Sequence, residues 1–206
     1  MKTIIFDFDG TLADSFELAL EVAHDLTGTQ RLSGQEVARL RRLPIRKVVR
    51  ELGIPLRRLP RLVLQGRQRM SERMHEVHPF DGINGVVAAL YEQGHHLLVM
   101  SSNSEQNVRA FLRANDMEQY FSGVYGGIGL LDKAGAIKKV VRRNKINRDI
   151  CYYVGDEMRD VEAAKKANVR AVAVGWGYQD PDVLAEHEPF ALVQKPAELQ
   201  KLFGAA

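Results

Sequence analysis

Lys2-Thr3-Ile4-Ile5-Phe6-Asp7-Phe8-Asp9-Gly10-Thr11 is the stretch on which the fold turns. Its first half is a short apolar, β-branched run of the kind that forms a strand buried on both faces. Its second half sets two carboxylates two residues apart, followed by Gly10 and Thr11, which let the backbone turn sharply. Residues i and i+2 of a strand share a face, so Asp7 and Asp9 can converge on one point at the strand's carboxyl end. Open parallel sheets place ligands at that end. Two acids held together repel unless a cation or a proton compensates, so the pattern asks for a metal ion or a shifted pKa. Taken alone, the pair also suits two solvated acids capping a turn. An EF-hand calcium loop fits less well, because its glycine stands sixth and a helix precedes it, whereas Gly10 is fourth from Asp7 and follows a strand.

Working outward, further apolar runs occupy residues 97–100, 150–154 and 169–174, and helical spacing of apolar residues marks 83–93, 105–115, 133–143 and 158–167. Ser104 stands where an N-cap of the second helix belongs. Strands alternating with helices imply a parallel sheet. Residues 15–80 interrupt the alternation with helices alone: Ser33 and Glu36 form a capping-box pattern, Pro44 suits a first helical turn, and Pro55 and Pro60 break any single long helix. Pro79 and Asp81-Gly82 mark the return to the sheet. The interruption carries twelve Arg and one Lys against seven acids, a charge of +6, while the remainder carries −3. The basic character is therefore local.

Three further clusters fall at strand ends. Gly155-Asp156-Glu157-Met158-Arg159-Asp160 follows the 150–154 run and opens a helix, with Asp156 and Asp160 four apart on one side of its first turn. Ser101-Ser102-Asn103-Ser104 combines hydroxyls, an amide and helix N-terminal N–H groups, a set that suits phosphate. Lys133 stands near a helix start after the glycine-rich residues 126–130. Each has a bland reading as capping or solvated charge. Together they supply carboxylates, hydroxyls and a cation at successive strand ends, the inventory for holding Mg²⁺ and a phosphoryl group.

In these four elements the chain resembles the haloacid dehalogenase superfamily from end to end. The helical insertion, Asn103 and the Gly175-Trp176-Gly177-Tyr178 loop resemble its phosphoglycolate-phosphatase-type members. The resemblance implies an α/β fold, a Rossmann-like parallel sheet core with helices on both faces (residues 1–14 and 81–206), plus a small inserted α-helical cap (15–80). It implies a Mg²⁺-dependent phosphatase for a small anionic phosphate monoester. Asp7 would attack phosphorus, and Asp9 would protonate the leaving oxygen and then deprotonate water. Ser101 and Lys133 would bind phosphoryl oxygens, with Gly10, Thr11, Ser102 and Asn103 completing the phosphate and substrate contacts. Asp7, Asp156 and the Asp9 carbonyl would ligate the metal, and Asp160 would hold the Lys or a metal-bound water. Many members follow the motif lysine with Pro, whereas Ala134 follows Lys133, so Lys138 and Lys139 stand as alternatives. A basic cap over an acidic centre favours small anionic esters and excludes water on closing. Most cap arginines are expected to be solvated, with one or two reaching substrate.

Composition supports an ordinary globular domain: 45% apolar and 27% charged residues, and a single cysteine, Cys151, which reads as a small buried hydrophobe. Asp7 and Asp9 stand where a secretory signal needs apolar residues, and no later run is long enough to span a bilayer, so cytoplasmic placement is expected. The histidines lack metal-ligand spacing, with His95-His96 leading into a strand. Gly127-x-Gly129 lacks the third glycine of a dinucleotide fingerprint. Trp176 and Tyr178 read as a packed loop beside the site. No nucleic acid or membrane partner is expected, and the chain is expected as monomer or homodimer. The main alternative is a phosphotransferase or phosphomutase on sugar phosphates with the same site. A receiver-like signalling module would lack both the insertion and Asp9, and Lys47, the one lysine of the insertion, weakly raises a Schiff-base phosphonate cleavage.

Overall fold

The structure is a computed structural model that describes residues 1–129 and 132–204; Leu130, which ends the glycine-rich stretch, lies outside them. β1 (Thr3–Phe6) is followed by α1 (Phe16–Thr27), α2 (Gly34–Leu40), α3 (Ile45–Glu51) and α4 (Leu59–Glu72). α5 (Ile83–Glu92) leads to β2 (His96–Met100), α6 (Glu105–Ala114), β3 (Gly123–Tyr125), α7 (Lys133–Arg143) and β4 (Cys151–Gly155). The chain ends with α8 (Met158–Lys166), β5 (Arg170–Val174), α9 (Pro181–Glu186), β6 (Ala191–Val193) and α10 (Pro196–Phe203). The strands form one six-stranded parallel sheet of order β3-β2-β1-β4-β5-β6.

β1 is buried along its whole length because its side chains feed two cores. Ile4 and Phe6 join Leu97, Val99, Tyr152, Val154, Val172 and Val174 on one face, covered by α1, α5, α6 and α10. Ile5 joins Leu98, Met100, Cys151, Tyr153, Ala171 and Ala173 on the other, covered by α7, α8 and Leu184 of α9. Period-two alternation thus sends apolar residues both ways, which is why the strands read as continuous apolar runs. The chain winds from β1 outward to β2 and β3, then crosses back to β4, β5 and β6. The crevice between β1 and β4 is the topological switch point, where a doubly wound sheet binds its ligand at the strands' carboxyl ends.

The four sheet-flanking helices read from spacing are α5 to α8, and Ser104 caps α6 by accepting the Asn107 N–H. Ser33 and Glu36 form the expected capping box of α2. Pro60 lies in the first turn of α4, but Pro44 stands one position outside α3, extended at φ −60° and ψ 144°, as its N-cap. β3 and β6 were not expected; each is three residues long at a sheet edge, too short to carry a period. Among the described residues no helix is long and apolar enough to cross a membrane.

Candidate active site

The turn after β1 is built around Phe8, which is fully buried with its ring edge-on to Phe111 of α6 at 5.0 Å. Its carbonyl accepts the N–H groups of Thr11, Leu12 and Ala13, folding the chain back at once. Sinking Phe8 leaves the flanking Asp7 and Asp9 at the carboxyl end of the sheet, and the Asp7 N–H donates to the Val154 carbonyl of β4 at 2.8 Å. Gly10 adopts φ +74°, and any Cβ there would overlap Asp156 Oδ2. A left-handed backbone and an absent side chain are both required at this position.

Carboxylate oxygens of Asp7, Asp156 and Asp160 lie within 4.8 Å of one another, and all three residues are buried. Asp7 accepts from the Phe8 N–H at 2.8 Å and from Lys133 Nζ at 2.5 Å. Lys133 also donates to Asp160, whose other oxygen accepts the Glu157 N–H at 3.0 Å. Asp156 accepts from Thr11 Oγ1 at 2.9 Å and from the Tyr178 N–H at 2.7 Å. Asp9 stands apart: its carboxylate accepts from Ser15 Oγ at 3.0 Å, and that hydroxyl lies 2.9 Å from the Tyr178 hydroxyl.

Burial pushes the Asp7 carboxyl up to about 7 against the opposing pull of Lys133. Burial raises Asp9 as well, with the Ser15 hydrogen bond working the other way. Asp156 is raised far above the usual carboxylate range by burial and by Glu157, Asp160 and Asp7. Burial disfavours the Lys133 ammonium, but Asp160 and Asp7 outweigh it and hold its pKa well above normal. Asp7, Asp156 and Asp160 outnumber the one lysine bonded to two of them, and buried oxygen donors in such a deficit suit a hard divalent cation.

Ser101 and Asn103, both buried, follow β2, next to β1 in the sheet. Ser101 Oγ accepts the Asn103 N–H at 2.9 Å, which leaves its hydroxyl proton as a donor, while Asn103 Oδ1 accepts from Ser104 N and Asn107 Nδ2. Ser102 is half-buried, and Lys138 and Lys139 are exposed on α7, away from the ion pairs that Lys133 makes. Thr11 is fully buried and its hydroxyl donates to Asp156, so its side chain supports that carboxylate. Sequence reasoning missed Ser15. It occupies the N-cap position of α1, yet its side chain makes no cap hydrogen bond and donates to Asp9. From the helical stretch, Arg67 on α4 donates to the Ile128 carbonyl at 3.2 Å, and the Ile128 N–H donates to the Ser101 carbonyl at 3.1 Å.

A family model described as haloacid dehalogenase-like hydrolase matches residues 4–174. The chain is 34% identical to a phosphoglycolate phosphatase of Synechococcus elongatus, covering 97% of this chain and 95% of that one. It is 23% identical to the pyrophosphatase PpaX of Listeria innocua, covering 97% and 94%. Its fold matches a haloacid dehalogenase-like family hydrolase from Streptococcus pneumoniae with a TM-score of 0.81 at 18% identity, covering 98% of each chain.

Proposed function

The chain belongs to the haloacid dehalogenase-like hydrolase family and is a phosphatase of it, and we propose from that premise that Asp7 carries the reaction. The substrate we assign is a small anionic phosphate monoester of the phosphoglycolate kind, supported by the 34% identity to a phosphoglycolate phosphatase. The observation that carries the reading is the meeting of Asp7, Asp156 and Asp160 within 4.8 Å, with Lys133 bonded to two of them.

In the proposed mechanism a carboxylate oxygen of Asp7 bonds to phosphorus as the ester P–O bond breaks, and Asp9 gives its proton to the leaving oxygen. Water then attacks the aspartyl-phosphate, passes a proton to Asp9 and releases phosphate and free Asp7. Lys133 and Ser101 hold the phosphoryl oxygens, with the backbone at Gly10 and the Ser102-Asn103 turn beside them. The three buried carboxylates fit Mg²⁺, which Asp7, Asp156 and the Asp9 carbonyl would hold, with Asp160 holding Lys133 or a metal-bound water. When bound, Mg²⁺ supplies the positive charge that lets an anionic carboxylate approach an anionic phosphoryl group. Residues 15–80 act as the cap over a core of 1–14 and 81–206, and their charge of +6 favours a small anionic substrate.

Phosphate release is measured from phosphoglycolate and an aryl phosphate, with Mg²⁺ or EDTA, for wild type and Asp7→Asn. The expected result is metal-dependent turnover that falls by more than roughly a thousandfold in the variant. Equal activity of the two proteins would remove Asp7 as nucleophile. Transfer to a sugar hydroxyl instead of water would favour the phosphotransferase alternative.

A further inference from the structure

The corner between α2 and α3 is docked on the loop after β5. Arg41 donates from Nε to the Tyr178 carbonyl at 2.9 Å and from Nη2 to the Gly177 carbonyl at 2.5 Å. Its guanidinium lies 5.4 Å over the Phe16 ring, which meets Tyr178 edge-on at 5.2 Å. The Asp180 N–H returns a bond to the Arg41 carbonyl, Gln179 Nε2 donates to the Leu43 carbonyl, and Arg42 pairs with Asp180 and Asp182.

The same loop reaches into the site. The peptide group that joins Gly177 to Tyr178 presents its carbonyl to Arg41 and its N–H to Asp156 Oδ2. A peptide is planar and polarises as a unit, so a donor on its oxygen strengthens and aims the N–H on its other side. Gly177 has no room for a side chain: a Cβ would overlap both Asp156 Cβ and the Gly10 carbonyl. The peptide is thus wedged between the arginine and the carboxylate.

We propose that Arg41 is a positioning residue for Asp156, acting through the Gly177–Tyr178 peptide, so that seating of the α2–α3 corner and metal binding favour each other. This rests on the reading of Asp156 as a metal ligand. Coupling is reciprocal: whatever docks the corner raises metal affinity, and bound metal favours docking.

Trp176, the one tryptophan of the chain, lies in this loop with Nε1 bonded to the Thr11 carbonyl and reports on it directly. Metal-free wild type, Arg41→Ala, Arg41→Lys and, as a control, Arg69→Ala from the exposed pair with Asp25 are titrated with Mg²⁺ by tryptophan fluorescence and calorimetry. The apparent Kd is expected to rise about ten- to a hundredfold in R41A, as for loss of other residues that orient a metal ligand, and to stay at the wild-type value in R69A. R41K should fall between, because lysine keeps the charge but loses the planar fork. Should R41A fail to fold, R41K carries the test. An R41A or R41K affinity equal to wild type overturns the proposal while leaving the metal reading intact. Absence of Mg²⁺ binding to wild type by both methods overturns the metal reading itself, and the proposal with it.

Discussion

Thr11 Oγ1 donates to Asp156 Oδ1 at 2.9 Å across 145 residues of chain, both groups lying fully buried. The hydroxyl fixes one carboxylate oxygen while the Tyr178 N–H fixes the other at 2.7 Å. Thr11→Val keeps the shape and leaves Asp156 one donor short, so Mg²⁺ half-saturation is expected to rise about ten- to a hundredfold. Removing a buried partner should also cost about 1–3 kcal/mol of stability. Thr11→Ser should restore most of both. Mg²⁺ titrations of activity and urea unfolding of the three proteins check this.

Gly10→Ala tests the close approach of the β1 turn to Asp156. The φ of +74° and the overlap with Asp156 Oδ2 act together, so the turn must shift and carry Asp7 and Asp9 with it. A displacement near 1 Å at reacting groups costs about a hundredfold in rate, and a loss of at least that size in kcat/KM is expected with far-UV circular dichroism unchanged. Wild-type activity in this variant would show that the turn does not set the reacting geometry.

The sequence was legible where function depends on local geometry. Asp7 and Asp156 each stand just after a strand, so runs of four or five apolar residues sufficed to bring them to the carboxyl end of the sheet, while Lys133 was marked by the helical spacing of 133–143 that it opens. Contacts that span the chain were not legible. Nothing in DFDGT says that the Thr11 hydroxyl serves Asp156, or that Ser15, in an N-cap position, turns to Asp9. The arginines of residues 15–80 read alike in sequence. Arg41 and Arg67 differ from exposed neighbours such as Arg50 only because the folded chain sets them against the loops after β5 and β3.

Cys151 opens β4 fully buried, and burial pushes its thiol up to about 12. Reaction requires the thiolate, so at pH 8 the native protein should leave an aromatic disulfide reagent unreacted over minutes. Denaturation in guanidinium should release one equivalent of thiol at once, matching the single cysteine. Prompt reaction of the native protein would mean that β4 opens locally, because the strand lies inside the sheet between β1 and β5.

Lys133 is the cation that Asp7 and Asp160 share, with its side chain 11% exposed and both partners buried. Replacing it by Met keeps bulk and leaves two carboxylates facing each other with only the longer-range charge of Arg159 to offset them. Breaking a buried ion pair from one side costs about 3–5 kcal/mol, so metal-free Lys133→Met should unfold at markedly lower urea than wild type. Protonation of a carboxylate relieves the repulsion, and so the deficit should shrink as pH falls from 8 to 5. Mg²⁺ should recover part of the stability at pH 8 without recovering turnover, since the missing ammonium is also the proposed phosphoryl ligand. Lys138→Ala and Lys139→Ala, on the exposed side of α7, should keep activity within about twofold and stability within about 0.5 kcal/mol. A Lys133→Met protein as active as wild type, with one of the exposed variants inactive, would move the phosphoryl-binding role to that lysine.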